Sequence, residues 1–233
     1  MSQQKTVWII NHYASTPQTG VAGRHYYLGQ ELAKLGYNVY IIAASYTHIL
    51  REPLTFDDDF LIEKHAPNFN YVWINVPSYA ESRSKRRVLN WFEFSWKILK
   101  LPKILSEKPD VVLNSSLSLV SFLAAEKLAK KFKVPLYFEV RDIWPLTLLE
   151  LGGYSKSHPF IMLLQWIEDR AYKNSYKVIS NLKNSVEHMV SRGLERSKFH
   201  WIPNGFSQDE VANKEHLSQE ISALLPKDKF IIG

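Results

Sequence analysis

The sequence predicts an α/β protein built on a parallel sheet with helices on both faces, and three observations carry that prediction. Short apolar runs rich in Val, Ile, Trp and Tyr alternate along the chain with longer segments of helical periodicity. Gly and Pro punctuate the junctions, at Gly36, Pro135 and Pro203-Asn-Gly205 among others. No repeat or low-complexity tract interrupts the alternation. Strands alternating with helices imply βαβ units, and these close into a doubly wound parallel sheet.

The elements follow in order. Val7-Trp-Ile-Ile10 predicts a first strand, and a loop to Gly23 leads into a helix from Arg24 to Leu35 with Leu28, Leu32 and Leu35 on one face. Gly36 is placed to cap it. Asn38–Ala43 and Tyr71–Val76 predict the next strands, and a helix spans Val88–Leu101. Asp110–Leu113 is a strand, Leu119–Phe132 a helix, and Pro135–Val140 a strand. A helix over Phe160–Tyr172, a strand over Lys177–Ser180, a helix over Ser185–Arg192 and a strand over Phe199–Ile202 complete a Rossmann-like array. Beyond Pro203-Asn-Gly205 lie a polar helical stretch, Gln208–Leu225, and the strand-like end Lys229–Gly233. This pattern predicts one domain over residues 1–205, with 206–233 forming a hinge and the opening of a second.

Composition narrows the function classes. The apolar and charged fractions, 45% and 22%, are those of an ordinary globular chain with a real core. There is no cysteine, which excludes disulfides and thiolate metal sites and suits a reducing, cytoplasmic location. The N-terminal stretch lacks the layout of a signal peptide, and no apolar run approaches the length needed to span a bilayer. The eight histidines show no metal-ligand spacing with a supporting carboxylate, so no metal is expected. A dinucleotide fingerprint is excluded as well. The glycine spacing after the first strand is wrong, and the second strand ends in Ala43-Ala44-Ser45 without the carboxylate a ribose needs.

Three clusters remain that could carry chemistry. Gly20, Val21, Gly23 and Arg24 precede a helix, where bare backbone and a positive dipole end suit a phosphate; a tight turn feeding a helix is the plainer reading. A cation at that helix start is disfavoured unless something anionic compensates it, which favours the phosphate. The strand Val134–Phe138 runs into Glu139-Val-Arg141-Asp142, followed by Trp144-Pro145. Ligands of open α/β sheets bind beyond the carboxyl ends of strands, so Asp142 is read as a base or hydroxyl-steering group. Arg141 is read as its charge partner or an anion binder, and a helix-capping Arg–Asp pair is the alternative. Ser115 and Ser116 also stand at a strand end and suit hydrogen bonding to a polar ligand; His12, at the end of the first strand, is either a site residue or a surface histidine; Trp144 either stacks on a sugar or fixes the loop. The third cluster is Ser82–Lys103, where Arg83, Lys85, Arg86 and Arg87 precede a helix carrying Trp91, Phe92, Phe94 and Trp96. Its polar stripe, Asn90, Glu93, Lys97 and Lys100, is narrow, so the rest of the helix faces a core or an anionic membrane surface; nucleic acid fits less well.

Taken together, Gly20-Val-Ala-Gly-Arg24, Leu35-Gly-Tyr-Asn-Val39, Lys108-Pro-Asp-Val-Val112, Glu139–Pro145, Glu168 with Tyr172, and Trp201-Ile-Pro-Asn-Gly205 resemble the N-terminal domain of family-4 glycosyltransferases of the GT-B fold. The chain is most similar to bacterial enzymes of capsule, O-antigen and exopolysaccharide assembly, including the fucosamine-transferase-like group. The resemblance covers essentially the whole chain. It implies two Rossmann-like domains facing across a cleft, the first binding a lipid-linked or saccharide acceptor and the second a nucleotide sugar. It further implies metal-free transfer with retention, with the loop Gly20–Gly23 near the donor phosphates. Many members have a histidine after the strand matching Pro135–Val140, where this chain has Arg141-Asp142. The carboxylate-containing donor motif belongs to the second domain, so the chain alone is expected to be inactive, and the whole enzyme to work at the inner membrane face.

Overall fold

A computed structural model describes residues 4–79, 85–212 and 216–230. The strands are β1 (Thr6–Ile10), β2 (Asn38–Ala44), β3 (Phe60–Ala66), β4 (Phe69–Ile74), β5 (Val111–Ser115), β6 (Leu136–Val140), β7 (Lys177–Ser180) and β8 (Phe199–Trp201). They form one eight-stranded sheet in the order β3-β4-β2-β1-β5-β6-β7-β8. Every pairing is parallel except β3 with β4, so the sheet is the expected Rossmann-like one with an antiparallel edge. Register is regular across the centre, with Ile9 opposite Ile41 on one side and Leu113 on the other.

The helices are α1 (Arg24–Lys34), α2 (Lys85–Ile98), α3 (Leu101–Ile104), α4 (Val120–Phe132), α5 (Leu146–Glu150), α6 (Pro159–Asn174), α7 (Val186–Ser191), α8 (Gln208–Ala212) and α9 (Gln219–Leu224). The expected helix over Val88–Leu101 ends early because Pro102 opens a separate turn; proline lacks the N–H that would continue the ladder. Strand β3 lies outside the strands that the sequence predicts. Its outer face is partly exposed, and the cue was the Pro67-Asn68 turn, where Asn68 takes a left-handed φ of 63° between two apolar runs.

Alternation along the central strands sorts the core into two layers. Trp8, Ile10, Tyr40, Ile42, Val72 and Ile74 face the layer completed by α2, α4, α6 and α7. Val7, Ile9, Val39, Ile41, Tyr71 and Trp73 face the layer covered by α1. Helix α1 lies close on the sheet through Gly29, whose added Cβ would stand 2.4 Å from Phe69 and 3.0 Å from Ile41. As expected, Gly36 ends α1: at φ +88° its N–H bonds Ala33, while Tyr37 N–H reaches Leu32, closing a Schellman pair. After β1 the chain builds outward through β2, then returns to the other side at β5. The order therefore reverses between β1 and β5, and the crevice beyond their carboxyl ends is where such sheets bind ligands.

Candidate functional site

A pocket of about 190 Å³ opens at that crevice, lined by Asn11, Tyr13, Gly23, His25, Tyr26 and Arg141 among others. Strand β1 supplies Asn11 and Tyr13 as it ends, α1 supplies Gly23 to Tyr26 at its start, and β6 delivers Arg141 one residue past Val140. Three elements distant in sequence thus converge on one cavity.

Beneath the pocket lies a buried carboxylate, Glu139. Its Oε1 accepts from Arg24 Nε at 2.8 Å; its Oε2 is 2.6 Å from His25 Nε2 and accepts from Ser115 Oγ at 2.7 Å. Tyr13 N–H donates to Asn11 Oδ1, leaving Asn11 Nδ2 to donate to His25 Nδ1 at 2.7 Å; the ring proton then sits on Nε2, facing Glu139. Burial opposes the charge on Glu139, but His25, the Ser115 hydroxyl and the Arg24 guanidinium outweigh it and hold the carboxyl at about 2. Arg24 continues upward: Nη1 donates to Pro203 O at 2.6 Å and Nη2 to Ile202 O at 3.2 Å. The anion that compensates a cation at the start of α1 is therefore Glu139, supplied by the fold itself, and the Arg24 guanidinium is spent on protein acceptors. Glu139, His25 and Asn11 went unnoticed as site residues. The signal available was a carboxylate inside an otherwise apolar strand.

Arg141 differs. Its backbone N–H is held by Ser116 Oγ at 3.0 Å, its Nε is buried without a partner, and its side chain makes no ion pair or hydrogen bond among the described residues. Asp142, next to it, is exposed and forms no ion pair with Arg141. Gly20 and Gly23 flank Val21, which is exposed. At Gly23 an added Cβ would meet nothing within 4 Å, so the glycine leaves open space at the pocket rather than relieving a clash.

The other predicted site residues fall away from the pocket surface. Ser115 and Ser116 are buried and committed to Glu139 and to Arg141 N–H, so they brace the site from within instead of facing an acceptor. His12 is buried against Phe94 and Tyr13, with neither ring nitrogen hydrogen-bonded. Desolvation, with Arg87 and His48 nearby, pushes its imidazole down to about 3, so it is neutral. Trp144 packs edge-on against Trp91, 5.6 Å between rings, and serves the loop.

Helix α2 corrects one expectation and sharpens another. Trp91 is not at the surface: it is buried, its Nε1 donates to Tyr13 Oη, and it stacks on Phe160. The polar stripe turns inward, with Asn90 donating to Pro77 O and Lys97 bonded to Asn75 O, Asp59 and Glu93. What faces outward is Leu89, Phe92 and Trp96, 63%, 42% and 68% exposed, with Lys85 and Arg86 exposed at the helix start and Arg87 over the Trp91 ring. Arg83 lies outside the described residues.

Among the described residues no group of three or more His, Asp or Glu side chains is placed to hold a metal ion, and no helix is long and apolar enough to cross a membrane. A larger groove of about 690 Å³ lies at the other end of the sheet, by the amino ends of β1, β2 and β4, but its acids are spent: Glu107 accepts from Tyr40 and Ser106, and Asp110 from Thr6 N–H.

No curated protein matches the chain in sequence. Among solved structures, a sucrose-phosphate synthase from Thermosynechococcus elongatus is similar with a TM-score of 0.54 at 16% identity, covering 94% of this chain and 97% of that one. An Arabidopsis thaliana protein complexed with UDP-L-rhamnose gives 0.58 at 16% identity, over 97% of this chain and 56% of its own. The catalytic domain of starch synthase IV from Arabidopsis thaliana, bound to ADP and acarbose, gives 0.53 at 15% identity, over 89% and 52%. The chain therefore spans about half the length of the last two. At these identities the likeness shows the fold, that of a GT-B half. The family model described as Glycosyltransferase Family 4 matches residues 19–210, from the glycine loop to beyond the last strand, and the chain belongs to glycosyltransferase family 4.

Proposed function

We propose that this chain is the acceptor-side domain, residues 1–205 with a hinge beyond, of a retaining glycosyltransferase that moves a hexosyl or N-acetylhexosaminyl group from a UDP-linked sugar onto a lipid-linked or saccharide acceptor in bacterial surface polysaccharide assembly. The observation that carries the reading is the pocket at the strand-order reversal, walled by the glycine loop and Arg141. In such a transfer the bond from the anomeric carbon to the donor phosphate breaks, the nucleoside diphosphate leaves with that electron pair, and an acceptor hydroxyl bonds to the carbon as its proton passes to the departing diphosphate. Asp142, exposed, next in sequence to the pocket residue Arg141 and unpaired among the described residues, is the group assigned to steering that hydroxyl. Arg141 is assigned to the charge that develops on departing phosphate oxygens. Nothing in this scheme calls for a metal ion.

The intact gene product, supplied with UDP-sugars and either a lipid-linked or a free saccharide acceptor, is expected to release UDP and form a glycosylated product. Binding of a glycan without turnover would replace the enzyme by a recognition module. The outward stripe Leu89–Phe92–Trp96 beside Lys85 and Arg86 favours peripheral attachment to an anionic membrane, which would bring the pocket to lipid-linked acceptors. Flotation with anionic vesicles tests it: Lys85→Glu with Arg86→Glu should abolish recovery in the vesicle fraction, and unchanged recovery would remove the membrane from the account.

A further inference from the structure

Tyr13, His48 and Arg87 hold hydrogen-bond donors that nothing among the described residues accepts. Trp91 Nε1–H donates to Tyr13 Oη at 2.9 Å, so the phenol keeps a proton of its own to give. Burial pushes that hydroxyl up to about 12, and the proton stays in place. The His48 main-chain N–H donates to Tyr79 Oη at 3.3 Å, and the same oxygen lies 3.2 Å from His48 Nδ1. Tyr79 has one proton, and it goes to Nδ1, so the ring proton of neutral His48 sits on Nε2, which has no partner among the described residues. Tyr46 Oη fixes the arrangement by donating to Tyr79 O at 2.6 Å. Arg87 lies over the Trp91 ring, 5.5 Å from its centroid, and its guanidinium makes no ion pair or hydrogen bond among the described residues.

Three elements bring these donors together: Tyr13 follows β1, His48 follows β2, and Arg87 stands in the first turn of α2. Trp91 ties two of them, with the guanidinium over its ring and Tyr13 on its Nε1, and His48 packs edge-on 6.0 Å from Tyr13. Tyr13 and Ile49 also line the 190 Å³ pocket, so the cluster borders it. Arg87 is the charge that acts on His12, Tyr13, His48 and Tyr79, and no carboxylate is among the groups that shift them. A sugar hydroxyl both gives and takes a hydrogen bond. Three donors without an acceptor beside them, one permanently charged, instead match a group that only accepts. We propose that Arg87, His48 and Tyr13 form a subsite for an oxyanion carried by the acceptor. The proposal rests on the glycosyl-transfer reading and adds that the acceptor is acidic, through either the carboxylate of a uronic-acid sugar or a phosphate that joins the sugar to its lipid.

The test is equilibrium binding of two charged probes to the intact protein, methyl glucuronide and geranyl phosphate, each beside its neutral counterpart, methyl glucoside and geraniol. At least one charged probe is expected to bind about tenfold or more tighter than its counterpart, and Arg87→Gln to remove that preference. Arg87→Lys should recover part of it, and His48→Phe, which keeps the edge contact but not the donor, should weaken the same probe about fivefold. A preference confined to the glucuronide assigns the subsite to an acidic sugar, and one confined to geranyl phosphate assigns it to a lipid phosphate. Lys108→Gln, in the groove at the other end of the sheet, should leave the preference intact, and Arg87→Gln should leave UDP binding intact. A second readout needs no variant to fold: phenylglyoxal modification of Arg87, followed by mass spectrometry, should be suppressed by the preferred probe and not by its neutral counterpart. The subsite is ruled out if neither charged probe is preferred, if the preference survives Arg87→Gln, if Arg87→Gln weakens UDP instead, or if Arg87 is not protected. Sugar transfer by the unaltered protein to a neutral acceptor, with none of these preferences, would sink this inference alone, whereas no release of UDP with any acceptor would sink the transferase reading.

Discussion

Arg24 and Arg141 stand at the same end of the sheet, yet their side chains live in opposite circumstances. Arg24 gives Nε to a buried carboxylate and its terminal nitrogens to the carbonyls of Ile202 and Pro203, so it stitches the start of α1, the end of β6 and the segment after β8 into one unit. Arg141 gives the fold only its backbone, and its charge faces a pocket. Residue type is alike in the two cases, though Arg24 opens α1 and Arg141 follows the end of β6. The difference lies in how many acceptors the fold supplies, and an arginine with none is the one left for a ligand.

The steepest way to break this comparison is at the carboxylate. Glu139→Ala would strand Arg24 and His25 and is expected to cost about 3–5 kcal/mol in urea denaturation; a loss under about 1 kcal/mol would mean the network is not what holds this end together. Next comes Gly29→Ala. Its gain in helix propensity is at most about 1 kcal/mol, but the new methyl would collide with Phe69 and Ile41, so a net loss of about 1–3 kcal/mol is expected from the same measurement. At neutral pH His12 adds nothing to these losses; its effect is pH-dependent and grows on acidification. Folded His12 stays neutral down to about 3, while the unfolded ring binds a proton near its usual 6.5. Between those values the unfolded state carries the extra proton, so stability falls with falling pH by up to about 1.4 kcal/mol per unit, and above 6.5 the term vanishes. His12→Phe should flatten that acid limb, and an unchanged slope would place the sensitivity elsewhere. Smallest of all, Leu89→Ser and Trp96→Ser together should shift unfolding by about 0.5 kcal/mol per site or less, since both side chains are mostly exposed.

Much of the fold was legible because the parallel strands are buried on both faces and read as apolar runs: Val7–Ile10, Asn38–Ala43 and Lys177–Ser180 fall inside or on observed strands. The edge strand β3 was not, since half of it faces out and its pattern is blurred. The site was legible as a place and not as a set of contacts. Strand-end position pointed to Arg141 and the glycine loop, both of which line the pocket. It could not show that Ser115 turns toward Glu139 and Ser116 toward the Arg141 N–H, or that Arg24 already owns an anion, because those partners lie more than twenty residues apart in sequence. Helix α2 misled for a related reason: its polar stripe is satisfied by the loops at Asp59 and Asn75, which helical periodicity alone does not reveal.

The most direct test pairs the two arginines in one experiment, the unfolding free energies of Arg24→Gln and Arg141→Gln measured side by side in urea. The structure predicts a loss of about 2–3 kcal/mol for Arg24→Gln, which leaves a buried carboxylate short of a donor, and a change within about 0.5 kcal/mol for Arg141→Gln. Equal losses, or a larger loss at Arg141, would show that Arg141 is a structural residue and would contradict its assignment to a ligand.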